Sequence, residues 1–186
     1  MRIIAGEARG RTIEAPAGRN TRPTLDRVRE NLFNILQRDI PDSRVLDLFA
    51  GSGALSLEAL SRGAANAVLV DSDRKACIIQ RKNIEALRYT GRTKQYHTDW
   101  RKAVAILKDE KAVFDLVFLD PPYVMTDVFD ILNALEPLLH DESLVVLEHE
   151  AGKETRTPEG YERIKSRTWG YCAVSVFRLS QKGDED

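Results

Sequence analysis

The sequence predicts an α/β protein: an open, mostly parallel, doubly wound sheet with an antiparallel hairpin at its C-terminal end. Three observations carry this. From Arg44 onward, short apolar runs alternate with segments of helical period, the pattern of parallel βαβ units. The first run leads into a glycine turn, Ala50-Gly51-Ser52-Gly53-Ala54, as at the first strand-to-helix crossing of a doubly wound sheet. The last two apolar runs have no helical pattern between them, and Trp169-Gly170 can reverse the chain.

The elements follow in order. Residues 2–5 and 12–15 are β-like runs separated by Gly6 and Gly10, suggesting a small hairpin, and Pro16, Gly18 and Pro23 mark the loop after it. Thr24 can cap a helix whose residues Leu25, Val28, Leu32, Ile35 and Leu36 share one face. Arg27 points away from that face, free to meet solvent or phosphate, and Arg29 at its margin touches the body. The body reads as strand 45–49, helix 54–61, strand 67–70, helix 73–87, strand 94–97, helix 101–107 and strand 114–119. A helix around 128–135, a strand 144–148 and β-like runs near 161–166 and 172–179 complete it. Trp169, Tyr171 and Phe177 alternate as one inward face of the final hairpin. Residues 1–23 are thus expected as an Arg-rich arm and residues 24–186 as the main domain.

The formal charge of -1 over 186 residues shows no basic excess, yet it is unevenly spread. The first 38 residues hold eight Arg, no Lys and four acids, a net of +4, against -5 for the rest. Such asymmetry points to a polyanion partner or to a solvated surface. At this length one domain buries roughly 70% of the surface its unfolded chain exposes, so its core needs neither disulfide nor metal. Cys77 and Cys172 form no CxxC or Cys/His cluster. No metal site is expected, and a reducing, cytoplasmic setting fits. The N-terminus lacks an apolar leader, and no apolar run approaches the length of a membrane span.

Glycines at a strand-to-helix turn let backbone approach a ligand at the carboxyl edge of the sheet. Here the spacing is G-x-G-x-x-S, without the third glycine of a dinucleotide fingerprint, which weakens a nicotinamide-linked oxidoreductase reading. Asp71, 18 residues after Gly53, can accept from both hydroxyls of a ribose. Asp47 is poorly placed for a pyrophosphate but suited to an ammonium group. S-adenosylmethionine has an ammonium, a ribose and an adenine, and no phosphate. Asp99 offers an acceptor for the adenine edge, or a helix cap, and Trp100 an apolar neighbour.

The run Val113-Phe-Asp-Leu-Val-Phe-Leu119 ends in Asp120-Pro121-Pro122-Tyr123. Two prolines fix φ and remove two N–H donors, leaving a rigid turn whose carbonyls can accept. An exocyclic amino group on a nucleobase is a poor nucleophile carrying two N–H donors. The Asp120 carboxylate and the Pro121 carbonyl can hold both, orienting the nitrogen toward an electrophilic methyl, while Tyr123 stacks on the base.

The segment from Asp47-Leu-Phe-Ala-Gly-Ser-Gly53 to Gly63, with Asp120-Pro-Pro-Tyr123, resembles the class I AdoMet-dependent amino-methyltransferases. Arg2-Ile-Ile-Ala-Gly6, Arg9-Gly-Arg11 and the block from Arg22-Pro-Thr-Leu-Asp-Arg27 to Phe33 are similar to the bacterial 16S rRNA guanine-N2 methyltransferase family. The resemblance implies a seven-strand Rossmann-like sheet and S-adenosylmethionine held by Asp47, Phe49, Ala50, Gly51, Ser52, Gly53, Asp71, Ser72, Asp99 and Trp100. It further implies N2 methylation of a guanine, position 966, in 16S rRNA, as free RNA or in a small-subunit assembly intermediate. Arg2, Arg9, Arg11, Arg22 and Arg27 are the expected phosphate contacts. The rival readings are a DNA adenine or cytosine amino-methyltransferase, which shares the Asp-Pro-Pro-Tyr chemistry, and an RNA-binding Rossmann domain without catalysis.

Overall fold

The computed structural model describes residues 1–15, 23–122, 125, 128–153 and 156–180. Its sheet has seven strands: β1 (Arg44–Asp47), β2 (Asn66–Asp71), β3 (Thr93–His97), β4 (Phe114–Leu119), β5 (Leu139–Glu150), β6 (Tyr161–Trp169) and β7 (Cys172–Leu179). They lie in the order β3-β2-β1-β4-β5-β7-β6. The first five are parallel, and β7 runs antiparallel to both β5 and β6. Sequence order reverses between β1 and β4, so the carboxyl ends of these two strands flank the crevice where such sheets bind ligands.

Among the described residues five α-helices cover the sheet: α1 (Pro23–Ile35), α2 (Ala54–Ser61), α3 (Arg74–Leu87), α4 (Trp100–Asp109) and α5 (Val128–Leu135). The central strands are buried on both faces and accordingly read as nearly unbroken apolar runs. One face packs against α1, α2 and α3 through Leu32, Phe33, Leu57 and Ile84. The other packs against α4 and α5 through Ala103, Leu107, Ile131 and Leu135. Asp73 and Asp99 cap α3 and α4, accepting from the backbone N–H of Lys75 at 2.8 Å and of Arg101 at 2.9 Å.

Several boundaries differ from expectation. Helix α1 begins at Pro23 rather than after a Thr24 cap; proline suits a first helical position, where its missing N–H has no partner to lose. Strand β1 ends at Asp47, although beyond it the Leu48 N–H still reaches the Phe118 carbonyl of β4 at 3.3 Å and the Ala50 N–H the Val70 carbonyl of β2 at 3.0 Å. Strand β5 starts at Leu139 through a register shift against β4 that its polar opening residues concealed. In the last hairpin Phe177 and Trp169 pack on opposite sheet faces, and Tyr171 is exposed in the turn. A bulge between Arg163 and Lys165 shifts the register, and the two-residue turn takes Tyr171 out of the strand.

The N-terminal segment makes one bridge, Arg2 with Thr12, rather than a ladder. It is held to the body instead. Ile3, Ala8 and Ile13 enter the same core as α1 and α2. The buried Glu58 carboxylate accepts from the N–H groups of Ile4 at 2.8 Å and Ala5 at 3.0 Å, and Ser61 Oγ accepts from Ala8 and donates to the Ala5 carbonyl. Gly6, at φ +83°, passes so close to Ser61 that a Cβ would sit 1.7 Å from its carbonyl oxygen. Gly6→Ala therefore forces the segment off α2. Beyond the lost contacts, backbone strain of this kind costs about 1–3 kcal/mol, read as a lower urea midpoint and faster proteolysis before residue 15.

Candidate active site

The site begins at the turn from β1 into α2. Gly53 has φ +81°, a left-handed conformation that glycine adopts without strain, which lets the turn settle against Leu69 of β2. Three side chains fix the loop from behind. Gln80 donates to the Gly51 carbonyl and Asn83 to the Ser52 carbonyl, both at 3.0 Å, and the Asp71 carboxylate accepts from the Gly51 N–H at 2.8 Å. Gln80 and Asn83 are buried on α3. Their one sequence signal was a pair of amides, three residues apart, on the inward face of a helix. Asn83 also exchanges hydrogen bonds with the Glu14 backbone, joining the glycine loop to the N-terminal segment.

Asp47 lies beneath this loop, 1% exposed. Its Oδ2 accepts from Ser56 Oγ at 2.9 Å, whereas Oδ1 is buried without a hydrogen-bond partner. Burial pushes the carboxyl from 3.8 up to about 7; the Ser56 hydroxyl and the Ser56 and Phe49 backbone N–H groups oppose that rise, and the negative charge of Asp71 adds to it. An unpartnered carboxylate oxygen in such a place is costly unless a ligand completes it.

Asp47 opens onto a cavity of about 160 Å³. Phe49, Ala50, Gly51 and Ser52 line it together with Asp120 and Glu148 from the ends of β4 and β5, and with Met1, Asp26, Arg29 and Leu32 from the N-terminus and α1. Arg29 is buried there, donating to the Arg2 carbonyl and pairing with Asp26 at 3.1 Å, so α1 and the N-terminus close the pocket together. Pro121 is buried and Pro122 exposed, its carbonyl accepting from the Met125 N–H at 2.8 Å. Tyr123 and Arg22 lie outside the described residues.

The remaining expected residues stand on the adjoining strand ends. Asp71 is half-buried; besides Gly51 it accepts from the Asp73 N–H. Ser72 and Asp99 are exposed. Trp100 is buried in the α4 side of the core, its indole N–H without a partner and the Arg101 guanidinium 4.5 Å from its ring. Arg2, Arg9, Arg11 and Arg27 are exposed, and Arg11 donates to the Ala86 carbonyl at the end of α3. Glu148 was not expected in the site. Its signal was its position at the end of an apolar strand, one strand beyond Asp120.

A family model described as Conserved hypothetical protein 95 matches residues 1–178. The chain belongs to this family. An Escherichia coli relative named Ribosomal RNA small subunit methyltransferase D is 36% identical, covering 100% of this chain and 93% of its own. A Bacillus subtilis relative named Putative rRNA methyltransferase YlbH is 34% identical, covering 96% and 98%. The solved structure of the Escherichia coli putative methyltransferase yhhF superposes with a TM-score of 0.84 at 37% identity, over 96% of this chain and 97% of that one. The family's fold is the class I, Rossmann-like methyltransferase fold, as the strand order and antiparallel last pair require. No helix among the described residues is long and apolar enough to cross a membrane.

Proposed function

We propose that this protein methylates the N2 amino group of a guanine in small-subunit ribosomal RNA, position 966 of 16S rRNA, using S-adenosylmethionine. The observation that carries this reading is the orphaned Oδ1 of Asp47, in one cavity with the glycine loop and Asp120. A dinucleotide would bring phosphate to this carboxylate; an amino-acid ammonium satisfies it. The names of the full-length relatives support the ribosomal RNA substrate.

When bound, S-adenosylmethionine supplies an electrophilic methyl group. Asp47 would hold its ammonium, with Phe49, Ala50, Gly51, Ser52 and Gly53 beside it. Asp71 would accept from the ribose hydroxyls, with Ser72 and Asp99 at the adenine edge and Trp100 packed in the core behind them. The target guanine leaves its stack to reach the cavity. Asp120 and the Pro121 carbonyl accept its two amino N–H bonds, and Asp120 stabilises the positive charge growing on the nitrogen. Pro122 keeps the turn rigid, and Tyr123 stacks on the base. Residues 1–23 form the RNA-gripping arm and residues 24–186 the catalytic domain, with Arg2, Arg9, Arg11, Arg22 and Arg27 on phosphates. The substrate is 16S rRNA, free or within an assembly intermediate, in the cytoplasm.

Mass spectrometry of digested rRNA from cells with and without the gene tests the substrate. Loss of one N2-methylguanosine is expected. Unaltered rRNA with changed DNA adenine or cytosine methylation would replace rRNA by DNA; no change in either would favour a binding module. For the arm, Arg9→Ala with Arg11→Ala is expected to weaken RNA binding and reduce the slope of log affinity on log salt by about one to two, with AdoMet affinity kept. Unchanged RNA affinity at several salt concentrations rejects the arm.

A further inference from the structure

Resting on the guanine methylation proposed above, we infer that Glu148 selects the base: its carboxylate accepts the ring N1–H of guanine while Asp120 and the Pro121 carbonyl hold the N2 amino group. Strand register brings the two carboxylates together. Leu119 of β4 is the partner of Leu147 of β5, so Asp120 and Glu148, each one residue further on, leave neighbouring strand ends side by side. Leu119 and Leu147 both face the core under α4 and α5. The alternation of a strand then turns Asp120 and Glu148 to the opposite face, where α1 and the pocket lie. Both line the cavity that also holds Asp47. The Cys172 thiol beside them is pushed up first by burial, then by Glu148 and Asp120, so the two carboxylates share one small neighbourhood.

The chemistry separates their roles. Asp47 is matched to a cofactor ammonium, and Asp120 with the Pro121 carbonyl can satisfy an amino group on any base. That pair does not distinguish guanine from adenine or cytosine. What distinguishes guanine is the ring nitrogen next to the amino group: N1 of guanine carries a proton, whereas N1 of adenine and N3 of cytosine present lone pairs. A second carboxylate beside Asp120 attracts the former and repels the latter two. A site built to accept a substrate N–H strongly rejects the analogue that lacks it.

The test uses an rRNA fragment with the target guanine replaced by 2-aminopurine, which keeps the 2-amino group and lacks the N1 proton. The wild-type protein should show a kcat/KM for guanine about tenfold to a hundredfold above that for 2-aminopurine, the range of one charge-assisted hydrogen bond. In Glu148→Ala that ratio should collapse toward one, by loss on guanine together with relief of the repulsion of 2-aminopurine N1. Glu148→Gln, of the same shape and still offering an oxygen acceptor, should give an intermediate ratio, and AdoMet binding by each variant reports an intact fold. A ratio unchanged by either substitution, both substrates slowing together, overturns the inference and assigns N1 recognition to Asp120 alone. A wild-type protein that accepts both substrates equally overturns it as well. Failure of the wild-type protein to methylate the guanine fragment would instead overturn the guanine reading itself.

Discussion

Asp120→Ala is expected to slow methyl transfer by about 10²–10³-fold, the cost of removing one preorganised group that stabilises charge in a transition state. The loss should fall on kcat, with AdoMet affinity unchanged, because Asp120 follows β4 and is assigned to the base, whereas the cofactor is assigned to Asp47 and the glycine loop after β1. Asp120→Asn should lose less: its amide oxygen still accepts one amino hydrogen, and only the negative charge is gone. Single-turnover assays on an rRNA fragment, with cofactor binding measured in parallel, check both. An Asp120→Ala protein with normal turnover would remove this residue from the chemistry.

Asp47→Asn should act on the cofactor and, with opposite sign, on stability. Replacing the carboxylate removes a charge-assisted hydrogen bond, so AdoMet affinity should drop by about tenfold to a hundredfold. Between its ordinary value of 3.8 and its folded value of about 7, the native protein keeps a proton that the unfolded chain has released. Stability of the ligand-free wild-type protein therefore falls as pH rises across that window and levels off above about 7. Asn has no such titration, so ligand-free Asp47→Asn should lose the slope and match or exceed wild-type stability at pH 8. Urea midpoints at pH 5, 6, 7 and 8, with calorimetric titration of AdoMet, measure both effects. For the wild-type protein, affinity should rise as pH climbs toward about 7, because the carboxylate and not the acid pairs with an ammonium. A Kd flat from pH 5 to 8 would contradict this role.

What could be read in advance follows from the range of the forces involved. Gly51, Gly53 and the two prolines act on their own backbone, so the turn after β1 and the turn after β4 were visible as local spelling. Alternation of apolar runs gave the sheet class for the same reason. Glu58, Ser61, Gln80 and Asn83 were not visible as anchors. Each is a polar residue on the inward side of a helix, satisfied by backbone many positions away: Glu58 by Ile4 and Ala5, Asn83 by Glu14 and Ser52. Glu148 was hidden differently, since its placement beside Asp120 depends on which strand lies next to β4 and in what register. Arg29 was legible as a residue turned to the body but not as a wall of the pocket. The exposed Arg residues could be counted, though not the contact of Arg11 with the end of α3.

Helix α2 has eight residues, hence a length of about 12 Å. One end is the glycine loop; the other is Ser61, where the N-terminal segment is fastened. The helix is thus a ruler laid between the loop above Asp47 and the bend at Gly6 where the N-terminal segment is seated. It is too short to bend and is buried from Ser56 to Ser61, so it sets that spacing to a single value. One extra helical turn in α2 would carry that seat away from the glycine loop, and with it Met1 and the Arg2 carbonyl that brace Arg29 at the pocket.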